Sequence, residues 1–203
     1  MKSNKKIFSA FAGLLLWGIA TSCGAAGYYE TMQQPPGESA AVKAASEFKI
    51  KPIDFSSIKP ADLGYSKTEE WKTDLEPVPQ AFAEAFPILF KEASVSNKKI
   101  TMLKKDEQVS SGIIVDVAVK KIILKYNYFT AQPDELICSL SFTDAASGQK
   151  LFSGEVNVNS RSGNPWAQAY KASFSNRLQS AAYNIAWVLT KIMTLGKIDP
   201  PVY

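Results

Sequence analysis

The stretch from Ile113 to Tyr128 constrains the fold more than any other part of the chain. Ile113, Val115, Val117 and Val119 alternate with Ile114, Asp116, Ala118 and Lys120. A period of two is that of a β-strand with one buried face. Past the Lys120-Lys121 pair the apolar positions change parity, to Ile122, Leu124, Tyr126 and Tyr128. A parity change requires one extra residue, so a β-bulge is expected at Lys120-Lys121.

Partners for such a strand follow at once. Leu136–Thr143 and Leu151–Asn159 read as a hairpin, joined by Asp144-Ala145-Ala146-Ser147-Gly148-Gln149. Gly148 is free to take positive φ in that turn. Phe152, Val156 and Val158 face inward, and Asn157 and Asn159 face out. Upstream, Phe48–Phe55 suggests a strand interrupted by Pro52, which points to an edge or a bulge. Ser66-Lys67-Thr68-Glu69 has capping-box spacing and opens a short helix around Trp71. From Pro79, the positions Phe82, Ala85, Phe86, Leu89, Phe90 and Ala93 recur at helical steps, and Pro87 is expected to kink that helix or split it. Ile100, Met102 and Leu103 suggest a short strand. A final helix is expected from Asn164 as cap and Pro165 at its first position, with Gly196 and Pro200-Pro201 ending it. At about 30 residues it would span about 45 Å. Asn184, Thr190 and Lys191 in its apolar half argue against a membrane span, so that half packs on the sheet or is partly reserved for a partner.

The first residues have a different character. Lys2, Lys5 and Lys6 precede an apolar run, Ile7 to Ala20, and then Ala20-Thr21-Ser22-Cys23. Charged, apolar, small is the order of a secretory signal. At about 14 residues the run is shorter than the roughly 20 that cross a bilayer core. Three small residues before a cysteine resemble the lipobox read by the lipoprotein signal peptidase, with Ala20 where Leu is usual. The resemblance implies that Cys23 receives a diacylglycerol, and palmitate-type acyl chains hold the mature chain on a membrane. Ordinary signal cleavage, after Ser22 or near Ala25 or Ala26, is the alternative. Gly24 is not Asp, so nothing signals inner-membrane retention.

The expected organisation is therefore a lipoprotein signal peptide at 1–22, a flexible tether at 23–46, and a single α/β envelope domain at 47–203. The tether reading rests on small, polar residues and on Gln33-Gln34-Pro35-Pro36-Gly37, which show no periodicity. Without the leader about 180 residues remain, enough for one domain with its own core. The formal charge of +4 loses three leader lysines and becomes about +1, which leaves no case for nucleic acid.

Histidine is absent. That removes Ser-His-Asp and Cys-His machinery and histidine metal sites. No cofactor motif and no metal set are present, so none is expected. Asp116, among Ile and Val, is the one acid that an inward placement would make a candidate for carboxylate chemistry. Cys138, on one face with Leu136, Leu140 and Phe142, reads as a small buried hydrophobe.

The segment Phe142-Thr143-Asp144-Ala145-Ala146-Ser147-Gly148-Gln149-Lys150-Leu151-Phe152 resembles a hairpin of bacterial envelope lipoproteins. These are similar at fold level to the curli-secretion lipoprotein and to the lipoprotein activators of penicillin-binding proteins. The resemblance implies an α+β fold: a mostly antiparallel sheet of about 4–5 strands, with a kinked helix and a long C-terminal helix packed on it. It carries no catalytic residue over. It implies a domain that binds a protein partner or supports envelope assembly, in the outer membrane and facing the periplasm or the cell surface. Candidate partner-binding residues are Tyr126, Tyr128 and Phe129 near a strand end, and Arg161 and Trp166 in a polar loop; core capping and helix entry are the plainer roles for them. A carrier of a small apolar or lipid ligand is the second reading, and it requires a cavity under the Phe82/Phe86/Phe90 stripe. Nothing in the sequence fixes an oligomeric state.

Overall fold

Six strands form one sheet in the order β1-β6-β5-β4-β2-β3. The computed structural model describes residues 28–126, 132–161 and 173–199. The strands are β1 Tyr29–Gln33, β2 Glu47–Ile50, β3 Lys99–Met102, β4 Ile113–Ile123, β5 Glu135–Asp144 and β6 Lys150–Asn159. The helices are α1 Ala40–Ala44, α2 Thr68–Leu75, α3 Val78–Glu92 and α4 Phe174–Leu195, with a 3-10 turn at Pro60–Leu63.

The expected α+β class holds, with two corrections to the sheet. It has six strands, and it is mixed: β1-β6, β6-β5 and β5-β4 are antiparallel, while β2 runs parallel to both β4 and β3. Parallel pairing follows from connectivity, because β2 reaches β3 through α2 and α3, a crossover rather than a hairpin.

The meander β4-β5-β6 matches the sequence pattern closely. The β4-β5 register shifts between Val119 and Lys121, so Lys120 is the extra residue of the expected bulge. In the β5-β6 turn the Asp144 carboxylate accepts from the Ser147 N–H and hydroxyl, both at 2.7 Å, and Gly148 sits at φ 71°. Strand β4 ends at Ile123, however, and Leu124 beyond it is exposed.

Pro52 does not mark an edge. Strand β2 is interior, and Pro52 falls just past its ladder, where no N–H is required of it. The chain returns to β4 at Asp54, whose N–H donates to Val117 O at 2.9 Å. Nor does Ser66 cap α2: the cap position is Lys67, and no side chain caps it. Pro87 bends α3 without ending it.

The last helix begins later than expected. Ser173 is extended, at ψ 143°, and its hydroxyl accepts from Asn176 N–H at 3.2 Å, which makes it the cap of a 22-residue helix. Asn164 and Pro165 lie outside the described residues. The apolar half of α4 is buried in the core: Ala181, Ile185, Val188, Leu189, Ile192 and Met193 are at most 1% exposed. Among the described residues no helix is long and apolar enough to cross a membrane.

The largest departure concerns residues 23–46. From Tyr29 onward this segment belongs to the body. Strand β1 pairs along β6, and α1 lies against α4. Ser39 N–H donates to Gly196 O at 2.7 Å and Ser39 Oγ to Leu151 O at 3.0 Å. Tyr29 OH donates to Asp199 O at 2.7 Å, and Ile198 N–H to Gln34 Oε1 at 2.9 Å. Glu38 pairs with both Lys43 and Lys197, which lowers its carboxyl. Gly196 ends α4 at φ 73°, and a Cβ there would stand 2.5 Å from Ser39 O, so both backbone and packing demand glycine. The pattern was invisible because only Tyr29 of β1 is buried; an edge strand has few apolar positions to alternate.

One face of the sheet is covered by α1, α3 and α4. It carries Phe48, Ile50, Val115, Val117, Val119, Leu140, Phe142 and Val156, all at most 1% exposed, in a single cluster with the helices. The other face carries Asp116, Ala118, Ser139, Ser141, Ser153 and Glu155, none of them buried.

Candidate functional site

The end of the sheet where β4 stops and β5 starts is built around one buried ion pair. Asp134 is 1% exposed and immediately precedes β5. Its Oδ1 accepts from Lys125 N–H at 2.9 Å and Tyr126 N–H at 3.0 Å. Its Oδ2 accepts from Arg177 Nε at 2.6 Å, in the first turn of α4. Its own N–H donates to Ser160 Oγ at 2.9 Å, and Ser160 N–H returns to Asp134 O at 2.8 Å. A buried carboxylate is tolerated only when its lone pairs are matched, and here three donors match them. The pair thus clamps the ends of β4, β5 and β6 to α4.

Aromatic rings close over this clamp. The Arg177 guanidinium stands 4.5 Å from the centroid of the Tyr126 ring and 5.3 Å from that of Phe174. Such cation–π contacts help hold a planar guanidinium in place. Phe174 stacks on Trp71 at 6.3 Å and meets Tyr65 at 6.2 Å; Phe55 meets Trp71 at 5.9 Å. Tyr65 donates its hydroxyl to Asp74, and burial together with that carboxylate raises its pKa well above the ordinary value.

Of the residues singled out from the sequence, Tyr126 belongs to this cluster and is half-buried against Arg177. Arg161 is at its border: its N–H donates to Asn159 Oδ1 at 3.0 Å, and its carbonyl accepts from Asn184 Nδ2 at 2.8 Å. Tyr128, Phe129, Trp166 and Cys23 lie outside the described residues. Sequence reasoning missed Asp134 and Arg177. One signal was present: the chain has only two arginines, Arg161 and Arg177, among many lysines, and arginine is the residue suited to a buried, bidentate or stacked charge.

A second feature is a groove of about 590 Å³ on the uncovered face, lined by Gln33, Asp116, Ser139, Ser141, Ser153 and Glu155 among others. Asp116 points here and not into the core, because its neighbours Val115 and Val117 occupy the covered side. Lys51 pairs with it at 2.8 Å. Glu155 lines the same groove but stands on β6, with β5 between, roughly two strand spacings or 9–10 Å from β4. The two acids are solvated and separately placed, which is not the close, desolvated arrangement that sets acid against base. Among the described residues no group of three or more Cys, Asp or Glu is placed to hold a metal ion.

The Phe82/Phe86/Phe90 stripe is filled by its own rings. Phe82 and Phe86 meet edge to face at 5.2 Å, Phe86 and Phe90 at 6.2 Å, and Phe82 and Phe86 are buried. Cys138 is buried in the core, and burial pushes its thiol up to about 12.

No family model and no curated protein matches the chain. Solved structures that are similar include a PelC dodecamer from Paraburkholderia phytofirmans, at 11% identity and a TM-score of 0.43, covering 81% of this chain and 97% of that one. The lipoprotein GNA1162 from Neisseria meningitidis is 8% identical with a TM-score of 0.35, covering 62% of this chain and 91% of that one. A putative neuraminyllactose-binding hemagglutinin homolog from Helicobacter pylori is 10% identical with a TM-score of 0.32, covering 74% and 83%. Likenesses this distant assign neither activity nor place.

Proposed function

We propose that this chain is a lipid-anchored, non-enzymatic protein of the bacterial envelope that binds a protein partner. The observation that carries the reading is the leader that ends at Ala20-Thr21-Ser22-Cys23. The other cysteine, Cys138, is sealed in the core, so it neither competes for the acyl group nor offers a disulfide partner. Among its described residues the body offers clamped aromatic surface, not a poised acid, base or nucleophile. Tyr126, half-buried over the Asp134–Arg177 pair, presents its ring at the end of the sheet, and aromatic side chains are what protein interfaces favour. The ring-filled stripe on α3 favours this reading over a carrier of an apolar ligand.

The test is metabolic labelling with a palmitate analogue, with and without a block of lipoprotein signal peptidase. Wild-type protein should take up label and shift in mass under the block, and Cys23→Ser should do neither. A Cys23→Ser protein that matures normally and stays in washed membranes overturns the anchor. A photo-crosslinker at Tyr126 should give discrete protein adducts in cells that one at Ser153 does not; equal adduct patterns overturn this end of the sheet as the contact surface.

A further inference from the structure

The anchoring of Cys23, taken from the reading above, has a geometric consequence, because Tyr28, the first described residue, already belongs to the body. Only Gly24, Ala25, Ala26 and Gly27 separate the cysteine from Tyr28. Five peptide steps reach at most about 18 Å. The acylated cysteine sits at headgroup depth, and a domain of this size is about 40 Å across if its radius of gyration is near 15 Å. So short a link keeps the surface around Tyr28 within about 18 Å of the headgroups, where contact with lipid is easily made.

That surface has the chemistry for it. Tyr28 O accepts from Asn159 N–H at 3.0 Å, which fixes the entry of the chain beside β6. The Tyr28 ring meets Trp187 at 4.8 Å. Tyr183 is one turn before Trp187 on α4, and all three rings are half-buried, packed on the core with an edge in solvent. On α3, which packs against α4, Ile88 is 50% exposed, one of three large apolar side chains left so open among the described residues. Burial first, then the charge of Glu92, one turn on from Ile88, and then Tyr28 raise the pKa of Tyr183. Lys191 follows Trp187 by one turn. Tyrosine and tryptophan are the residues whose apolar body and polar tip suit the headgroup boundary.

We propose that Tyr28, Tyr183 and Trp187, with Ile88 of the neighbouring helix, form the face on which the body rests against the phospholipid surface holding the acyl chains of Cys23. The partner-binding end of the sheet is then set by that contact and not by a free tether.

The test uses the acylated full-length mature protein on phospholipid vesicles that contain brominated lipids. Co-flotation reports the anchor, and tryptophan quenching reports the face. Wild type should float and be quenched, and Trp187→Phe should float with at least half of that quenching gone. Equal quenching in Trp187→Phe, or none in the wild type, overturns the face while the anchor stands. A chain that carries no acyl group and does not float overturns both. As a second readout that spares the rings, an environment-sensitive dye on Ile88→Cys should shift to the blue on vesicles, and one on Ser153→Cys should not. A shift at Ile88→Cys that depends on protein concentration without vesicles marks a contact between copies and overturns the lipid assignment.

Discussion

One side of β5 shows Leu136, Cys138, Leu140 and Phe142; the other shows Ile137, Ser139, Ser141 and Thr143. The first set is at most 1% exposed and joins the core, while the second is half-buried without a helix over it. The same ten residues thus serve two different physical regimes. On the covered side, each large side chain removed from water contributes about 1.5–3 kcal/mol, and shape complementarity is strict. On the open side, small hydroxyls and ion pairs keep the strands soluble and contribute little each. The contrast teaches that an antiparallel strand can be half core and half groove, with a period of two dividing the tasks.

The contrast should break most visibly under an added charge. Val156→Lys places an unpaired ammonium in the core and is expected to abolish cooperative folding, whereas Ser153→Lys, three residues away on the open side, should stay within about 0.5 kcal/mol of wild type. Urea unfolding followed by circular dichroism separates them, and similar midpoints would show that the two faces are not distinct.

A pH series sharpens the same division. Burial pushes the Cys138 thiol from its ordinary 9 up to about 12, and Tyr29 is likewise pushed to about 12. The folded thiol keeps a proton that the unfolded chain releases above about pH 9. The unfolded chain therefore binds fewer protons there, and stability falls as pH rises. Full stability from Cys138 is expected below pH 9, with progressive loss toward about pH 12. Cys138→Ala should flatten the fall of the urea midpoint over that window; an unchanged slope would mean that the thiol is not shielded.

The smallest effect belongs to the open side. Lys51 and Asp116 are 37% and 41% exposed, so Lys51→Ala should cost less than about 1 kcal/mol, and less still in high salt. A cost above about 2 kcal/mol that salt does not reduce would place this pair in a drier site than the groove provides.

How much of this was legible depended on whether a segment carries its own pattern. The β4-β5-β6 meander was readable down to the Lys120 bulge and the Ser147-Gly148 turn, because each strand buries one face and writes that face into its period. The Phe82/Phe86/Leu89 stripe of α3 was readable for the same reason. Strand β1 was not, since Tyr29 is its one buried residue, and the run of Gln and Pro after it suggested a tether. The parallel place of β2 depends on a crossover and not on its four residues. The core of the candidate site was least legible: Asp134 and Arg177 lie 43 positions apart, and their pairing is a product of tertiary structure. Only the scarcity of arginine hinted at it.

The stitching of the first strand to the last residues has a temporal meaning. Tyr29 and Asp199 bond across 170 positions, so a strand made early in synthesis is completed by residues made late. Contacts so far apart in sequence slow the final step of folding. Until β6 is made, the backbone of β1 has no partner strand and is a template for pairing with another chain. The interval between synthesis of β1 and of β6 is thus the period in which this edge is least protected.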